Sequence, residues 1–373
     1  MSTRVVPVLA KHFSCHLPLL ENLTINVKTV PNEFPCLPDQ LFDGDLSSLR
    51  ELHLSGVLIS LPRKNMPNLT TLNLCSIPDD RFLLTRLLNL FEFVPHIRHV
   101  RLLNSIPSSS DVPANRMLTL PHLKKFEITA QPAHSILLNH LFIPAGASLI
   151  LECSYTGDES PIPSYLPTLS TGLLNLSNIT TINLCFGPER RFLQLYGPSG
   201  ELRFLGNWIR GRNQSEVGTS SFLRSMGQFN ISRSRCLAVQ WYHCGPPADS
   251  ITRSIVYQTL RSMENLSSLT LVQCKSSSFI LALNPTNNPS AIVRCPKLKE
   301  ITLYTEGPND IHVNELVKMA EERASRGGKL SVITIVSTGA IAPPKDVFQL
   351  RKYVLRLECK FDDAPPEWDT LPL

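Results

Sequence analysis

One eight-residue phrase, P-x-L-x-x-L-x-L, constrains this chain more than any other feature. It stands as Pro67-Asn68-Leu69-Thr70-Thr71-Leu72-Asn73-Leu74 and returns at Pro121–Ile128 and Pro296–Leu303. Pro95 through Leu102 carries it with Ile97, Val100 and Leu102, and Pro18 through Ile25 with Leu20, Leu23 and Ile25. Without the proline it recurs at Leu49/Leu52/Leu54, Ile179/Ile182/Leu184, Leu266/Leu269/Leu271 and Leu330/Ile333/Ile335. In the L-x-L part, alternate residues of a short strand point to opposite faces, leucines inward and their neighbours outward. The first apolar anchor covers the turn into the strand, where a proline costs no ladder donor. One such unit cannot bury its own apolar face, but stacked neighbours can.

Successive anchors, from Leu20 to Leu330, lie 29, 20, 28, 26, 56, 87, 32 and 32 residues apart. The gap of 56 holds a degraded copy at Leu149-Ile150-Leu151, and the gap of 87 hides another near Leu237-Ala238-Val239-Gln240-Trp241. Leucine-rich repeats run about 20–29 residues. The expected fold is therefore α/β: a leucine-rich-repeat solenoid, or horseshoe, with a mostly parallel inner sheet and outer helices. The longer periods leave room for those helices.

A solenoid has no internal division, so 373 residues read as a single domain over 1–373. Residues 1–45 are expected to form an N-terminal cap and first repeat, with a helix over Val5–His16. Residues 186–215 read as a hairpin insertion, two alternating runs around Gly197-Pro198-Ser199-Gly200, and 338–373 as a C-terminal cap and tail. Helices are expected over Arg81–Phe91, Ala133–Phe142, Ser221–Phe229, Ser250–Met263 and Asn309–Arg326. Gly327-Gly328 stop the last of these.

Chemical signatures are missing from the sequence. It has no GxGxxG, no HExxH and no G-x-S-x-G; Gly197-Pro198-Ser199-Gly200 lacks the lysine and spacing of a phosphate loop. His243-Cys244 are adjacent on a strand-like run and face opposite ways, so they form no thiol–imidazole pair. His96 and His99 lack companion metal ligands. No catalytic, cofactor-binding or metal-binding residue is assigned, and the protein reads as a non-enzyme. Ten cysteines without a CxxC or close even framework read as free thiols in a reducing compartment. The first twenty residues lack a secretory leader's apolar run, and no stretch approaches the ~20 apolar residues of a membrane span. The seven N-x-S/T sequons, mostly inside the phrase, are then expected to stay unmodified. The expected compartment is cytoplasmic or nuclear.

The candidate site is the row of outward side chains between the leucines: His53, Asn73, Arg101, Glu127, Asn183, Gln240, Thr302 and Tyr304. Extended repeat surfaces suit protein recognition, and Arg101 and Tyr304 are the residue types favoured as hot spots. The net charge of +5 and 18% charged residues call for neither nucleic acid nor membrane. An alternative reading rests on the basic stretch 189–235, with Arg190, Arg191, Arg203, Arg210, Arg212, Arg224, Arg233 and Arg235 against Glu189, Glu201 and Glu216. It would dock phosphate or nucleic acid; the plainer reading is a solvated loop face with little aromatic interleaving.

The irregular phrase copies, the outer helices, the hairpin and the Cys295–Leu303 strand followed by a helix resemble the fungal F-box/leucine-rich-repeat proteins of the type expanded in mushroom-forming fungi. The resemblance covers roughly residues 5–360. It implies a substrate-recognition subunit of an SCF-type ubiquitin ligase, a ligase adaptor in which the F-box grips the core complex and the repeats grip a protein target on the concave face. The family's F-box, a three-helix segment opening with a Leu-Pro-x-Glu-type phrase, does not stand in this sequence. The expectation is either a gene read from too late a start or a member that has lost the box. The adaptor would be a partner only if an F-box were restored upstream. The repeats alone would bind a target, as a monomer.

Overall fold

The computed structural model describes residues 19–27, 46–57, 66–77, 84–105, 116–130, 135–155, 172–186, 190–198, 200–208, 229–241, 256–272, 277–285, 293–305, 312–338 and 344–362. The helices expected over Val5–His16 and Ser221–Phe229 lie outside them. In chain order the first elements are β1 (Asn22–Asn26), β2 (Glu51–Ser55), β3 (Thr71–Cys75), α1 (Leu84–Phe93), β4 (His99–Leu103), β5 (Leu118–Thr119), β6 (Lys125–Ala130), α2 (Ser135–Leu138), β7 (Leu141–Phe142) and β8 (Ser148–Tyr155). Then come β9 (Thr181–Phe186), β10 (Arg190–Tyr196), β11 (Glu201–Trp208), β12 (Cys236–Trp241), β13 (Ser268–Val272), α3 (Ser277–Leu283), β14 (Glu300–Thr305), α4 (Val313–Ser325), β15 (Val332–Thr338) and β16 (Arg356–Asp362). The chain is α/β: fourteen strands form mostly parallel sheet that does not close, and helices are few.

The chain divides into two compact units. Unit 1 comprises residues 1–154, 162–177 and 199–205, and unit 2 comprises 155–161, 178–198 and 206–373. Each holds seven of the fourteen strands.

In unit 1 the strand order is β1-β2-β3-β4-β6-β8-β11, with parallel pairing from β1 through β8. The register sets like positions of the phrase side by side. Leu23, Leu52, Leu72, Val100, Phe126 and Leu149 form one column, and Ile25, Leu54, Leu74, Leu102, Ile128 and Leu151 a second. All twelve are buried. The degraded copy at Leu149-Ile150-Leu151 is the strand β8.

The proline has a specific place. The Met66 carbonyl accepts from Leu69 N–H at 3.1 Å, and Val94 and Leu120 do the same for Ile97 and Leu123. Pro67, Pro95 and Pro121 thus occupy the second position of a β-turn, where a fixed φ suits and no N–H is needed. After the turn, two consecutive N–H groups reach one carbonyl of the preceding strand's lead-in. Thr70 and Thr71 share Arg50 O, Arg98 and His99 share Thr70 O, and Lys124 and Lys125 share Arg98 O. At the other end of the strands, Gly56, Ser76 and Asn104 stand at equivalent positions, two after Leu54, Leu74 and Leu102. All have positive φ (66°, 51° and 48°), a conformation open to Gly and tolerated by few other residues.

Of the helix expected over Arg81–Phe91, residues 84–91 lie in α1, which buries Leu84, Leu87, Leu88, Leu90 and Phe91; residues 81–83 lie outside the described residues. The helix expected over Ala133–Phe142 ends at Leu138; Leu141–Phe142 is instead a short strand paired with β5. The second half of the expected hairpin, β11, lies in this unit's sheet. Gly200 leads into it, and a Cβ there would stand 2.1 Å from the Ala145 carbonyl oxygen, so no larger residue fits.

In unit 2 the order is β10-β9-β12-β13-β14-β15-β16. β10 turns back antiparallel on β9, and every later pair is parallel. The hidden copy near Leu237 is β12. The columns are Ile182, Leu237, Leu269, Ile301 and Ile333, and Leu184, Val239, Leu271, Leu303 and Ile335, all buried. The same relay operates here: Ser267 and Ser268 share Arg235 O, and Lys299 and Glu300 share Ser267 O. Residues 256–261 are helical, within the expected Ser250–Met263. Of the expected Asn309–Arg326 helix, residues 313–325 form α4 and 309–311 lie outside the described residues; Gly327 follows with φ 79°. Its buried face is Val313, Leu316, Met319, Ala320 and Arg323. The segment expected as a closing cap is a 3-10 turn over Lys345–Lys352 followed by β16, which continues the parallel register.

Arg323 is fully buried, with 0% exposure. Its Nη1 donates to Arg294 O at 2.7 Å and its Nη2 to Cys295 O at 3.0 Å. Those carbonyls belong to the turn before β14, where Cys295 has φ 44°. Arg294 in turn donates to Ala282 O at 2.8 Å and lies over the Tyr257 ring. The two guanidiniums thereby tie α4, α3 and helix 256–261 to one turn. Burial lowers both arginines' pKa values and pushes the Cys295 thiol up to about 12, so the thiol stays protonated.

Two substitutions test this architecture. Leu72→Ala, in the middle of a column, should cost roughly 2–5 kcal/mol in denaturant unfolding, while Asn73→Ala beside it on the other face should cost far less. Arg323→Ala should cost roughly 3–5 kcal/mol, through lost packing and two orphaned carbonyls. A midpoint unchanged by either Leu72→Ala or Arg323→Ala would contradict the packing described.

Candidate functional site

The face opposite the leucine columns is built by parity alone. In unit 1 the middle outward position of successive strands is Thr24, His53, Asn73, Arg101 and Glu127, set side by side by the register. Neighbouring strands lie about 4.8 Å apart, so these side chains meet. Four of the eight expected site residues are thus brought together on four adjacent strands.

Their contacts fall into two groups. The Asn73 amide nitrogen sits 3.3 Å from His53 Nδ1, and His53 Nε2 lies 3.6 Å from Glu51 Oε2. The Cys75 thiol donates to Asn73 Oδ1 at 3.0 Å. In the second group, Arg101 Nε meets Glu127 Oε2 at 2.8 Å, and Lys125 meets the other oxygen of the same carboxylate. Glu127 is largely covered, with 17% of its side chain exposed, whereas Arg101 keeps 51% exposed. A carboxylate held between two cations leaves surplus positive charge at the surface, carried by Arg101 and Lys125.

The electrostatics follow from this placement. Burial, then the positive charges of Lys124, Lys125 and Arg98, hold the His99 imidazole below its usual value, with Glu51 opposing. Burial raises the Cys75 pKa, with Arg101 opposing. The Cys75 thiol is therefore a hydrogen-bond donor and not a thiolate nucleophile. Sequence reasoning did not place Cys75 in this cluster; its position two after Asn73 on a period-2 strand is the signal that could have.

In unit 2, Asn183 and Thr302 share the middle row with Ala238, Thr270 and Thr334. Asn183 donates to Gln194 Oε1 at 3.4 Å on the antiparallel β10, and Tyr196 Oη donates to the same oxygen at 3.0 Å. Tyr304 lies one row further along, beside Val272 and Val336, and is half-buried. Gln240 is the exception: it has the expected parity but is 1% exposed, so the expectation of a solvent-facing side chain there is corrected. It belongs to a buried row with Cys185 and Val272, and alternation fixes a face without fixing what covers it.

The turns before the strands carry a separate row. His96 and His122 face each other with ring centroids 5.4 Å apart, so His96 packs on the neighbouring turn rather than with His99. Asn68 donates to Ser47 O and Asn265 to Ser232 O, which gives two sequon asparagines a structural role.

The basic stretch 189–235 is only partly described. Arg203, in unit 1, pairs with Glu201 at 3.1 Å. Arg233, in unit 2, donates to Asn178. Arg210, Arg212 and Arg224 lie outside the described residues, as do His243 and Cys244. Among the described residues no group of three or more His, Cys, Asp or Glu could hold a metal, and no helix is long and apolar enough to cross a membrane.

No family model, curated protein or solved structure matches this chain.

The His99 environment makes a prediction with a definite sign. A folded state that resists protonation binds fewer protons than the unfolded chain once the pH falls below the ordinary histidine value of 6.5. Stability is unaffected by this group above that pH and falls as the pH drops below it. By NMR titration, His99 should titrate below 6.5, and Lys125→Gln should move it upward. A normal value insensitive to Lys125 would contradict the arrangement.

Proposed function

We propose that the chain is a leucine-rich-repeat solenoid that works as a non-enzymatic protein-interaction module, resembling the substrate-recognition repeats of an SCF-type F-box protein. The observation that carries this reading is the outward row of unit 1, where β1, β2, β3, β4 and β6 each contribute one polar side chain in register, up to the Lys125–Glu127–Arg101 cluster, before Ile150 follows on β8. Such a face offers a pattern of charge and hydrogen-bond groups to an extended target, with Arg101 as its most exposed cation. In unit 2, Tyr304 supplies an aromatic anchor of the kind enriched at binding hot spots. The target is a protein carrying acidic groups opposite Arg101 and Lys125.

The alternative reading is a phosphate or nucleic-acid binder using the 189–235 arginines, of which Arg235 is exposed. Arg203 is engaged by Glu201, and Arg233 by Asn178.

A retention experiment separates the two. The purified chain, immobilised, should retain a protein partner that Arg101→Ala and Lys125→Ala, both in unit 1, each weaken several-fold, while Glu322→Ala on α4 leaves retention unchanged. Binding that survives both face substitutions, or that falls steeply with salt and tracks nucleic acid, would overturn the protein-recognition reading.

A further inference from the structure

β16 is the last strand of the unit 2 sheet. It pairs with β15 on one side and has no strand on the other among the described residues. The Arg356 N–H is used on Ser331 O, toward β15. Backbone groups alternate along a strand, so the N–H and C=O groups of Leu357, Cys359 and Phe361 face the open edge. Natural edges of this kind are usually blunted, because unpaired ladder groups invite another strand.

The side chains along this edge have an unusual order: Leu357, Glu358, Cys359, Lys360, Phe361. Read outward from Cys359 in both directions, it runs acid then leucine one way and base then phenylalanine the other. We infer that β16 is a self-association surface, on which two copies of this chain pair antiparallel about a two-fold axis through Cys359. That register sets Glu358 of each copy opposite Lys360 of the other, and Leu357 opposite Phe361. It also makes the outward-facing N–H and C=O groups of 357, 359 and 361 the hydrogen-bonded positions. Moving the axis by one residue to Glu358 sets Glu358 on itself and Arg356 against Lys360, and the like charges repel.

The apolar surface agrees. Six large hydrophobic residues are exposed among the described residues, and three of them, Phe348 (45%), Leu355 (72%) and Phe361 (64%), lie at this end. The buried columns of Ile333 and Ile335 continue onto Leu357 and Cys359, which are only half-buried. A second copy would cover them with its own Phe361 and Leu357. On the other face, Glu358 already lies between Arg356 and Lys360, both at 2.9 Å. Those pairs are within one chain, and the second copy would add its own Lys360 beside Glu358.

Charge exchange tests this directly. The wild-type chain should show a monomer–dimer equilibrium in analytical ultracentrifugation. Glu358→Lys or Lys360→Glu alone places two like-charged pairs across the axis and should weaken dimerisation about tenfold or more. An equimolar mixture of the two single variants restores opposite charges and should associate as the wild type does, as should the double exchange E358K/K360E. Independently of any charge change, a short bismaleimide should link two wild-type chains through Cys359, mapped by peptide mass, and Cys359→Ser should abolish that link. A wild-type chain that stays monomeric without a Cys359 link would overturn the proposal; cover of the edge by residues 363–373 or by another protein's strand would give that result. So would single variants that associate normally, or a mixture no better than its components.

Discussion

Eight strands, β2, β3, β4, β6, β12, β13, β14 and β15, are tied to a sheet neighbour by the same device: two successive amide protons converge on one carbonyl at that neighbour's lead-in. Thr70 and Thr71 meet Arg50 in this way, and Ser331 and Val332 meet Lys299. The contact is between main-chain groups, so it makes no demand on the side chains at those positions. Arg50, Thr70, Arg98, Ser267 and Lys299 can all occupy it. What the sequence must supply is a turn that aims the strand and an apolar residue at every second position of it. The columns tolerate Val100 and Phe126 among leucines because a parallel strand buried on one face needs volume and apolarity more than one residue type.

This division explains what could be read from the sequence. The anchors were legible because burial and period coincide: Leu49, Leu69, Ile97 and Leu123 all have 0–3% exposure. The two degraded copies were legible for the same reason, since β8 and β12 keep apolar residues at the inward positions although they have lost the proline. Order along the chain gives the β6–β8 and β12–β13 pairs, but β8's other neighbour is β11, and β12 pairs with β9 rather than with the strand before it in the chain. The proline was legible as a turn residue, and its place as the second residue of a hydrogen-bonded turn is the structural form of that reading.

Other features escaped because they depend on cover, which a one-dimensional pattern does not carry. Gln240 alternates correctly and is still buried. Arg323 occupies the seventh position after Leu316 on α4, a core position by helical spacing, yet its charge reads as solvent-facing; only the backbone carbonyls of Arg294 and Cys295 make burial tolerable. α3, Ser277–Leu283, was not expected, since seven residues opening with serines resemble a loop as much as a helix. The left-handed residues Ser76 and Asn104 become visible only when aligned with Gly56 by register. β16 falls inside the expected cap and tail over 338–373, and that it continues the parallel register was not legible there.

The spacing of the phrase also decides where the helices fall. From Leu49 to Leu69 there are 20 residues, and from Leu69 to Ile97 there are 28; the second interval holds the ten residues of α1. The two intervals of 32 hold α3 and α4. A parallel crossover needs a dozen or more residues before a helix fits, so the length of each connection sets how much apolar surface it brings to the back of the columns. The outward row is insulated from that variation, because its positions are fixed by strand parity and main-chain register. A side chain such as Arg101 can therefore change without disturbing the core. Ion pairs whose cations stay about half exposed contribute little to stability, and the Lys125–Glu127–Arg101 arrangement is better understood as what the face presents than as what holds the fold together.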